Sequence, residues 1–254
     1  ATMRSNVAAL TEHLGTLLPE HLTAEVIKTY NKKRRVGPGT ILREIGVLRA
    51  ALKWAVARKW LAPHLRPEIA GPVKAPPPRD RYLSRDEAVA LLAGCREPHV
   101  KLFVMLGLMT VARMSAILQA KWSQIDWERR TIDYGLGNGN KRRALVRLND
   151  EIYEALKGAQ QIACSDYIVE FRGEPVETVK NGFRAACKRA KIEGVTPHIL
   201  RHTGATWMAS SGVPIQEIAA MLGDTVETTQ KVYAKYTPEY QRRAAAALQL
   251  GTAM

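Results

Sequence analysis

Three residues near the C-terminus have the types and spacing needed for phosphate chemistry. His198 and Arg201 form a His-x-x-Arg pair, and Tyr233 follows a segment that reads as two helices. An arginine fork grips two phosphate oxygens and stays charged, and a tyrosine hydroxyl is a nucleophile once it loses its proton. At pH 7 only about one free phenol in a thousand is ionised, so neighbouring cations or a base must raise that fraction. The combination predicts phosphodiester cleavage by transesterification, without water as the nucleophile.

The charge of the chain indicates its partner. The 254 residues include 38 Lys and Arg against 24 Asp and Glu, a net charge of +14, and more than half of the excess lies in residues 1–80. Such an excess predicts a polyanionic partner, and nucleic acid is the usual one. The longest apolar run, residues 102–112, is too short to span a bilayer, so no membrane association is expected.

Cysteine and carboxylate usage narrows the class of protein further. The three cysteines are scattered and form no C-x-x-C pair, which favours an intracellular, cytoplasmic location. No carboxylate cluster has metal-ligand spacing, so neither a metal nor another cofactor is expected.

The N-terminal third is predicted to be helical. Ile41, Ile45, Leu48, Leu52 and Val56 recur at spacings of three or four, the pattern of one buried helix face. Basic residues before and beside this stripe indicate either a solvated face or a surface that contacts phosphates. The second interpretation predicts DNA contacts by Lys32, Lys33, Arg34, Arg35, Arg43, Arg49 and Lys53, and we add His202 to this set.

A proline cluster predicts the domain boundary, because proline removes amide donors and restricts its predecessor to extended geometry. We expect a helical DNA-binding domain at 1–72, a linker at 73–80 and a catalytic domain at 81–254. Ser84 and Glu87 form a capping box before a helix, and further helices are expected over 102–108, 113–118 and 213–222. Residues 130–134 and 144–148 alternate like strands around a glycine-rich turn. The fold class is therefore mainly α with a small antiparallel β-sheet, and the second domain is mixed α/β. The five tryptophans are expected in the core.

Several segments resemble the tyrosine recombinase (phage integrase) family, and the resemblance covers nearly the whole chain. Residues 109–115, Met-Thr-Val-Ala-Arg-Met-Ser, resemble its first arginine box, and residues 197–205 closely resemble the second. Leu222-Gly223 and the run from Thr228 to Tyr233 resemble the segment leading to the family's nucleophile. In that pattern the tyrosine follows the residue after Leu-Gly by nine positions, which selects Tyr233 over Tyr236. Residues 40–61 look like the last helix of the family's core-binding domain.

The resemblance implies a role for each matching residue. Arg113 and Arg201 would clamp the scissile phosphate, and His198 would assist proton transfer and phosphate binding. Tyr233 would form a 3′-phosphotyrosine and release a 5′-hydroxyl, which makes the chain a site-specific DNA recombinase or integrase that needs no metal. The family's hairpin lysine protonates the leaving oxygen, and Lys141 is the lysine in this hairpin. The resemblance also implies a homotetramer on double-stranded DNA, and accessory DNA-binding proteins are possible partners.

Two positions depart from the family pattern. Ala116 stands where the family often has an acidic residue, and Asp224 stands where many members have His or Trp. An ionised aspartate cannot donate to phosphate, so Asp224 would orient Arg201 or His202, or act on the tyrosine proton.

Three alternatives stay open at this point. The departures suit a catalytically inactive relative that binds DNA. Residues 203–236 also resemble a helix-turn-helix, which would suit a DNA-binding regulator. A type IB-like topoisomerase would share the chemistry without joining two sites.

Overall fold

A computed structural model describes residues 2–69, 80–135, 144–238 and 240–248. The chain divides into two compact units, Ala1–Arg79 and Asp80–Met254. Apart from Asp80, the linker predicted at 73–80 lies outside the described residues. Within the described ranges, no helix combines the length and the apolarity needed to cross a bilayer.

In the part of the first unit that the structure describes, three α-helices share one small core. They are α1 (Thr2–Leu14), α2 (Ala24–Lys33) and α3 (Pro38–Ala57). The Thr23 side chain caps α2, and a proline opens α3, where its missing N–H has no helical partner to lose. The predicted apolar stripe is confirmed: Ile41, Ile45 and Leu52 are buried.

A buried ion pair ties α2 to α3 and corrects one predicted DNA contact. Glu44 carries a charged side chain, yet it is only 1% exposed. Its carboxylate accepts from the Tyr30 hydroxyl at 2.6 Å and from Arg34 Nη2 at 2.6 Å. The bond to Arg34 holds the pKa of Glu44 below its usual range. The guanidinium of Arg34 therefore neutralises a buried charge, and Arg34 is no longer expected to contact DNA.

The other predicted cations of the first unit differ in their surroundings. Arg49 donates twice to the Ile69 carbonyl, at 2.9 and 2.6 Å, so it ties α3 to the segment that follows it in the chain. Arg49 is nevertheless exposed, as are the remaining predicted cations Lys32, Lys33, Arg35, Arg43 and Lys53. Trp54 and Trp60 are also exposed, at 48% and 74%, so the expectation that they lie in the core is wrong.

Over its described residues, the second unit is mainly helical with two small antiparallel sheets. Its helices are α4 (Arg85–Gly94), α5 (Pro98–Met109), α6 (Met114–Leu118), α7 (Asp150–Gln160), α8 (Lys180–Arg189), α9 (Pro197–Ser210), α10 (Ile215–Leu222), α11 (Val226–Tyr233) and α12 (Arg242–Ala247). Its strands are β1 (Ile125–Asp126), β2 (Thr131–Asp133), β3 (Leu145–Arg147), β4 (Glu170–Phe171) and β5 (Glu174–Pro175). The order β1-β2-β3 is antiparallel, with Ile132 opposite Val146, which confirms the two predicted strands. The Ser84–Glu87 capping box before α4 is also confirmed.

Close packing of α5 on α9 brings the two arginine boxes together. A Cβ on Gly204 would lie 2.5 Å from Val111 Cγ1, and one on Gly107 would lie 2.8 Å from Leu200 Cδ1. Both distances are too short for real Cβ contacts, so the two glycines allow the helices to approach. The Thr203 hydroxyl accepts a hydrogen bond from the backbone N–H of Leu83, which ties α9 to the segment before α4.

Candidate active site

Arg201 is held by three separate elements. Its side chain is 14% exposed and projects from α9. It donates to the Val111 carbonyl at 2.8 Å, to the Leu222 carbonyl at 2.9 Å and to Asp224 Oδ2 at 2.6 Å. An arginine carries five N–H donors, so these three bonds leave two donors for another acceptor. The guanidinium is therefore fixed in place while it keeps the capacity to bind an anion.

The backbone of Val111 supports this arrangement. Its φ is +49°, a left-handed conformation that is strained for a β-branched residue. The residue is buried beneath α9, and its carbonyl is one of the acceptors for Arg201. The strained turn also leads directly into Arg113, the N-cap residue of α6. One turn of backbone thus positions both predicted phosphate-binding arginines.

Asp224 joins the two arginines. Oδ1 lies 2.5 Å from Arg113 Nη2, and Oδ2 lies 2.6 Å from Arg201 Nη2. Gly223 ends α10 with φ of 60°, a left-handed conformation that glycine adopts without strain and that turns the chain toward the arginines. Of the alternatives considered for Asp224, the structure shows the contact with Arg201, and it adds a contact with Arg113.

Ala116 lies on the same small cavity as both arginines. The cavity is lined by Arg113, Ala116, Tyr134 and Arg201, among others, and Ala116 is 3% exposed. The carboxylate that the family pattern often places at this position is therefore absent beside the guanidinium groups. Asp224 supplies a carboxylate to the same two arginines from the end of α10.

Tyr233 is buried at the end of α11, beside His202 of α9, the residue that follows Arg201. Its side chain is 8% exposed, and its hydroxyl lies 3.2 Å from Nδ1 of His202. Burial raises the pKa of Tyr233 to about 12, although the positive charge of Arg201 acts in the opposite direction. The nearby Tyr236 packs its ring edge-on to His202, with centroids 6.3 Å apart, and its hydroxyl has no hydrogen-bond partner among the described residues. His202 therefore contacts the predicted nucleophile, a role that differs from the DNA contact predicted for it.

His198 lies on a basic surface rather than in the buried part of the site. It is exposed in the first turn of α9, one helical turn before Arg201. A cavity of about 830 Å³ begins beside it, with four cations along its wall: Lys180, Arg184, Lys188 and Lys191. The first three recur every four residues and so lie on one face of α8. The i, i+4, i+8 spacing of basic residues in the sequence is the signal for this surface. These four residues and His198 are called the basic groove.

Two further observations concern this site. Lys141 lies in 136–143, outside the described residues, so its predicted role stays a prediction. Among the residues that the structure describes, no group of three or more His, Cys, Asp or Glu is placed to hold a metal ion.

Several known proteins have sequences similar to this chain. Residues 81–239 match the phage integrase family. The chain is 31% identical over 229 residues to the integrase of Salmonella phage P22, which covers 82% of this chain and 57% of that protein. It is 32% identical over 183 residues to tyrosine recombinase XerA of Thermococcus onnurineus (strain NA1), covering 68% of this chain and 64% of that protein. The chain thus spans less than two thirds of the length of these two curated relatives.

Solved structures show the same fold. The Tn1549 transposon integrase, solved in complex with transposon right end DNA, aligns over 97% of this chain and 92% of that chain. The TM-score is 0.79 at 16% sequence identity, so this likeness concerns the fold alone. The sequence match over residues 81–239 includes both arginine boxes and Tyr233, and it covers well over half of the chain. The chain therefore belongs to the phage integrase family.

Proposed function

We propose that this chain cuts and rejoins DNA as a site-specific recombinase, with Tyr233 as the nucleophile. The observation that carries the proposal is the convergence around one turn of α9. Arg201 is joined to Arg113 through Asp224, and the residue after Arg201 contacts the hydroxyl of Tyr233. A nucleophile and two fixed cations in one place are what phosphoryl transfer to a protein side chain requires.

The reaction follows from these positions. Arg113 and Arg201 bind the non-bridging oxygens of the scissile phosphate and stabilise the negative charge that builds there. The Tyr233 oxygen bonds to phosphorus as the bond to the 5′ oxygen breaks, which gives a 3′-phosphotyrosine and a 5′-hydroxyl. Because the phosphodiester is exchanged rather than hydrolysed, a 5′-hydroxyl from another strand reverses the step and joins new ends. In this proposal the arginines supply the positive charge, and the reaction needs no metal ion.

Both units are proposed to contact the DNA backbone. In the unit that contains α3, the exposed cations proposed for this role are Lys32, Lys33, Arg35, Arg43, Arg49 and Lys53. In the catalytic unit, the basic groove supplies further phosphate contacts beside α9. We assign residues 1–72 to DNA binding and 81–254 to catalysis, with 73–80 as the linker. Affinity that depends on phosphate contacts falls steeply with salt, since each contact releases counterions.

The active form is proposed to be a homotetramer on DNA. Exchange between two duplexes cuts four strands, and each site contains one Tyr233, so each cleaved strand needs one protomer. The C-terminal segment 238–254 is proposed to dock on a neighbouring subunit. Deleting it should abolish assembly on paired sites while single-site binding persists, and assembly that continues unchanged would contradict this assignment.

The direct experiment traps the covalent intermediate. A nicked DNA substrate loses its short 5′-hydroxyl fragment after cleavage, so rejoining fails and the protein–DNA adduct accumulates. Tyr233→Phe should form no adduct while still binding DNA, and the matched control Tyr236→Phe should form it. An adduct in the Tyr233→Phe variant would contradict the assignment of the nucleophile.

The same assay separates the alternatives. An inactive relative or a helix-turn-helix regulator would give no adduct with the wild-type chain. A type IB-like topoisomerase would give an adduct and would also relax a supercoiled plasmid that lacks a specific site.

The leaving-group acid requires its own test. We propose Lys141 for this role, and Lys141→Ala should cleave slowly on normal DNA. A 5′-thiol leaving group needs no protonation, so a substrate that carries one should restore the rate. Failure of this rescue would indicate that another residue is the acid.

A further inference from the structure

The contact between His202 and Tyr233 has no part in holding the arginines, so it requires a separate explanation. His202 Nδ1 lies 3.2 Å from the tyrosine oxygen, and the two rings lie 5.4 Å apart with a tilt of 37°. The imidazole is partly buried in α9, next to Arg201. It is the histidine that contacts the nucleophile's hydroxyl, whereas His198 is exposed in the basic groove.

The surroundings of His202 favour a neutral imidazole. Burial lowers the pKa of His202, with the negative charge of Asp80 opposing this shift and the positive charge of Lys235 adding to it. Asp80 and Lys235 neutralise each other in an ion pair of 2.8 Å. Tyr236 faces the ring from the turn after α11, and Arg201 precedes it on α9. A neutral imidazole keeps one nitrogen lone pair and accepts a proton from a phenol within hydrogen-bond distance.

The surroundings of the second ring nitrogen, Nε2, are consistent with a histidine that changes its protonation state. Nε2 of His202 is buried and has no hydrogen-bond partner among the described residues. A histidine placed only for packing or structure usually has its polar atoms paired. No carboxylate bonds to either ring nitrogen within the described ranges, so no acid locks His202 as a cation.

We propose that His202 is the proton acceptor for the tyrosine nucleophile, an inference that rests on the proposed recombinase function. During cleavage the phenolic proton moves to Nδ1 as the tyrosine oxygen bonds to phosphorus. The bond from phosphorus to the 5′ oxygen breaks, and that oxygen takes its proton from a separate donor, for which Lys141 is the candidate. During rejoining each proton returns: the attacking 5′-hydroxyl gives its proton back to the donor, and His202 reprotonates the released tyrosine.

The test measures single-turnover cleavage of nicked DNA against pH. Wild-type cleavage should slow in acid, because a protonated His202 cannot accept the phenolic proton. His202→Asn keeps a polar side chain of similar reach but accepts no proton at these pH values. We expect it to cleave about 10²- to 10⁴-fold more slowly, the usual contribution of a general base. The fall of its cleavage rate at low pH (the acid limb) should also disappear, while its DNA affinity and melting temperature stay close to those of the wild type. His99→Asn, at a partly buried histidine on α5 that contacts Phe171, is the matched control and should keep the wild-type rate and profile.

A fluorinated tyrosine at position 233 distinguishes proton transfer from positioning. Its phenol is more acidic and needs less help to ionise, so it should restore part of the rate of His202→Asn. If His202→Asn cleaves at the wild-type rate and still slows in acid as the wild type does, the role of His202 is overturned while the recombinase proposal stays intact. A slow variant that keeps the acid limb and gains nothing from the fluorinated residue would overturn it as well. Absence of any adduct with the wild-type chain would instead overturn the proposed function.

Discussion

The carboxylate of Asp224 should be needed for fast DNA cleavage because it holds both phosphate-binding arginines in place. Asp224→His would restore the residue type common in the family at this position, yet it removes both ion pairs. The exposures of Asp224, Arg113 and Arg201 side chains are 27%, 31% and 14%, so solvent screens these pairs only in part. Bonds to charged groups contribute about 1.5–3 kcal/mol each. If the transition state loses about 2–3 kcal/mol of stabilisation because the arginines are no longer held in place, cleavage slows by about 30- to 160-fold.

A second substitution tests whether position 116 and position 224 exchange one function. Ala116 lines the cavity beside both arginines, so Ala116→Asp in the Asp224→His background returns a carboxylate to them. The cavity is small, and the larger side chain should cost about 1–3 kcal/mol of stability through overpacking. We nevertheless expect at least a tenfold recovery of cleavage, measured as the single-turnover rate of adduct formation on nicked DNA.

Matched controls isolate the effect of the charge. Ala116→Asn with Asp224→His has nearly the same shape without the charge and should show no recovery. Glu227→Gln breaks an exposed ion pair with Lys231 on α11 and should cleave at the wild-type rate. The reasoning is refuted if Asp224→His cleaves as fast as the wild type, or if the aspartate and asparagine double variants are equally slow.

Three further predictions concern the fold and the DNA surface. Gly204→Ala should separate α5 from α9 and lower both the melting temperature and the cleavage rate; a fully active, equally stable variant would contradict the packing argument. Arg34→Ala should destabilise the first unit by about 3–5 kcal/mol in denaturant titration, because it leaves the Glu44 carboxylate buried without its cation. The stability from this pair should be complete above the ordinary pKa of Glu, about 4.3, and be lost as the pH falls through the lowered folded-state pKa. Replacing Arg184 and Lys188 by Ala should weaken DNA binding and reduce the salt slope of log K by about 1.8, and an unchanged slope would exclude the basic groove from the DNA contacts.

Local patterns in the sequence predicted the elements that carry the site. The stripe from Ile41 to Leu52 predicted α3, because a buried helix face repeats every three or four residues. The alternation around Ile132 and Val146 likewise predicted a pair of strands. These features depend on residues close in the chain, so their periodicity is visible without the structure.

Contacts between distant residues could not be predicted in the same way. The bridge from Arg113 to Asp224 spans 111 positions and depends on the turn at Gly223. The burial of Glu44 depends on its partner Arg34, the residue that follows α2, and the sequence alone does not show this pairing. The contact of His202 with Tyr233 likewise requires α9 and α11 to pack together, and the sequence indicated only that a histidine follows Arg201.

The most direct test of the central claim is the identity of the residue that carries DNA in the trapped adduct. Trypsin cuts after Lys231 and Lys235, so it releases Tyr233 in the four-residue peptide 232–235 and Tyr236 in the separate peptide 236–242. Mass spectrometry of the digested adduct should find the nucleotide on peptide 232–235, attached through a 3′-phosphate to Tyr233. A nucleotide on peptide 236–242, or a 5′-phosphate linkage to either peptide, would contradict the account.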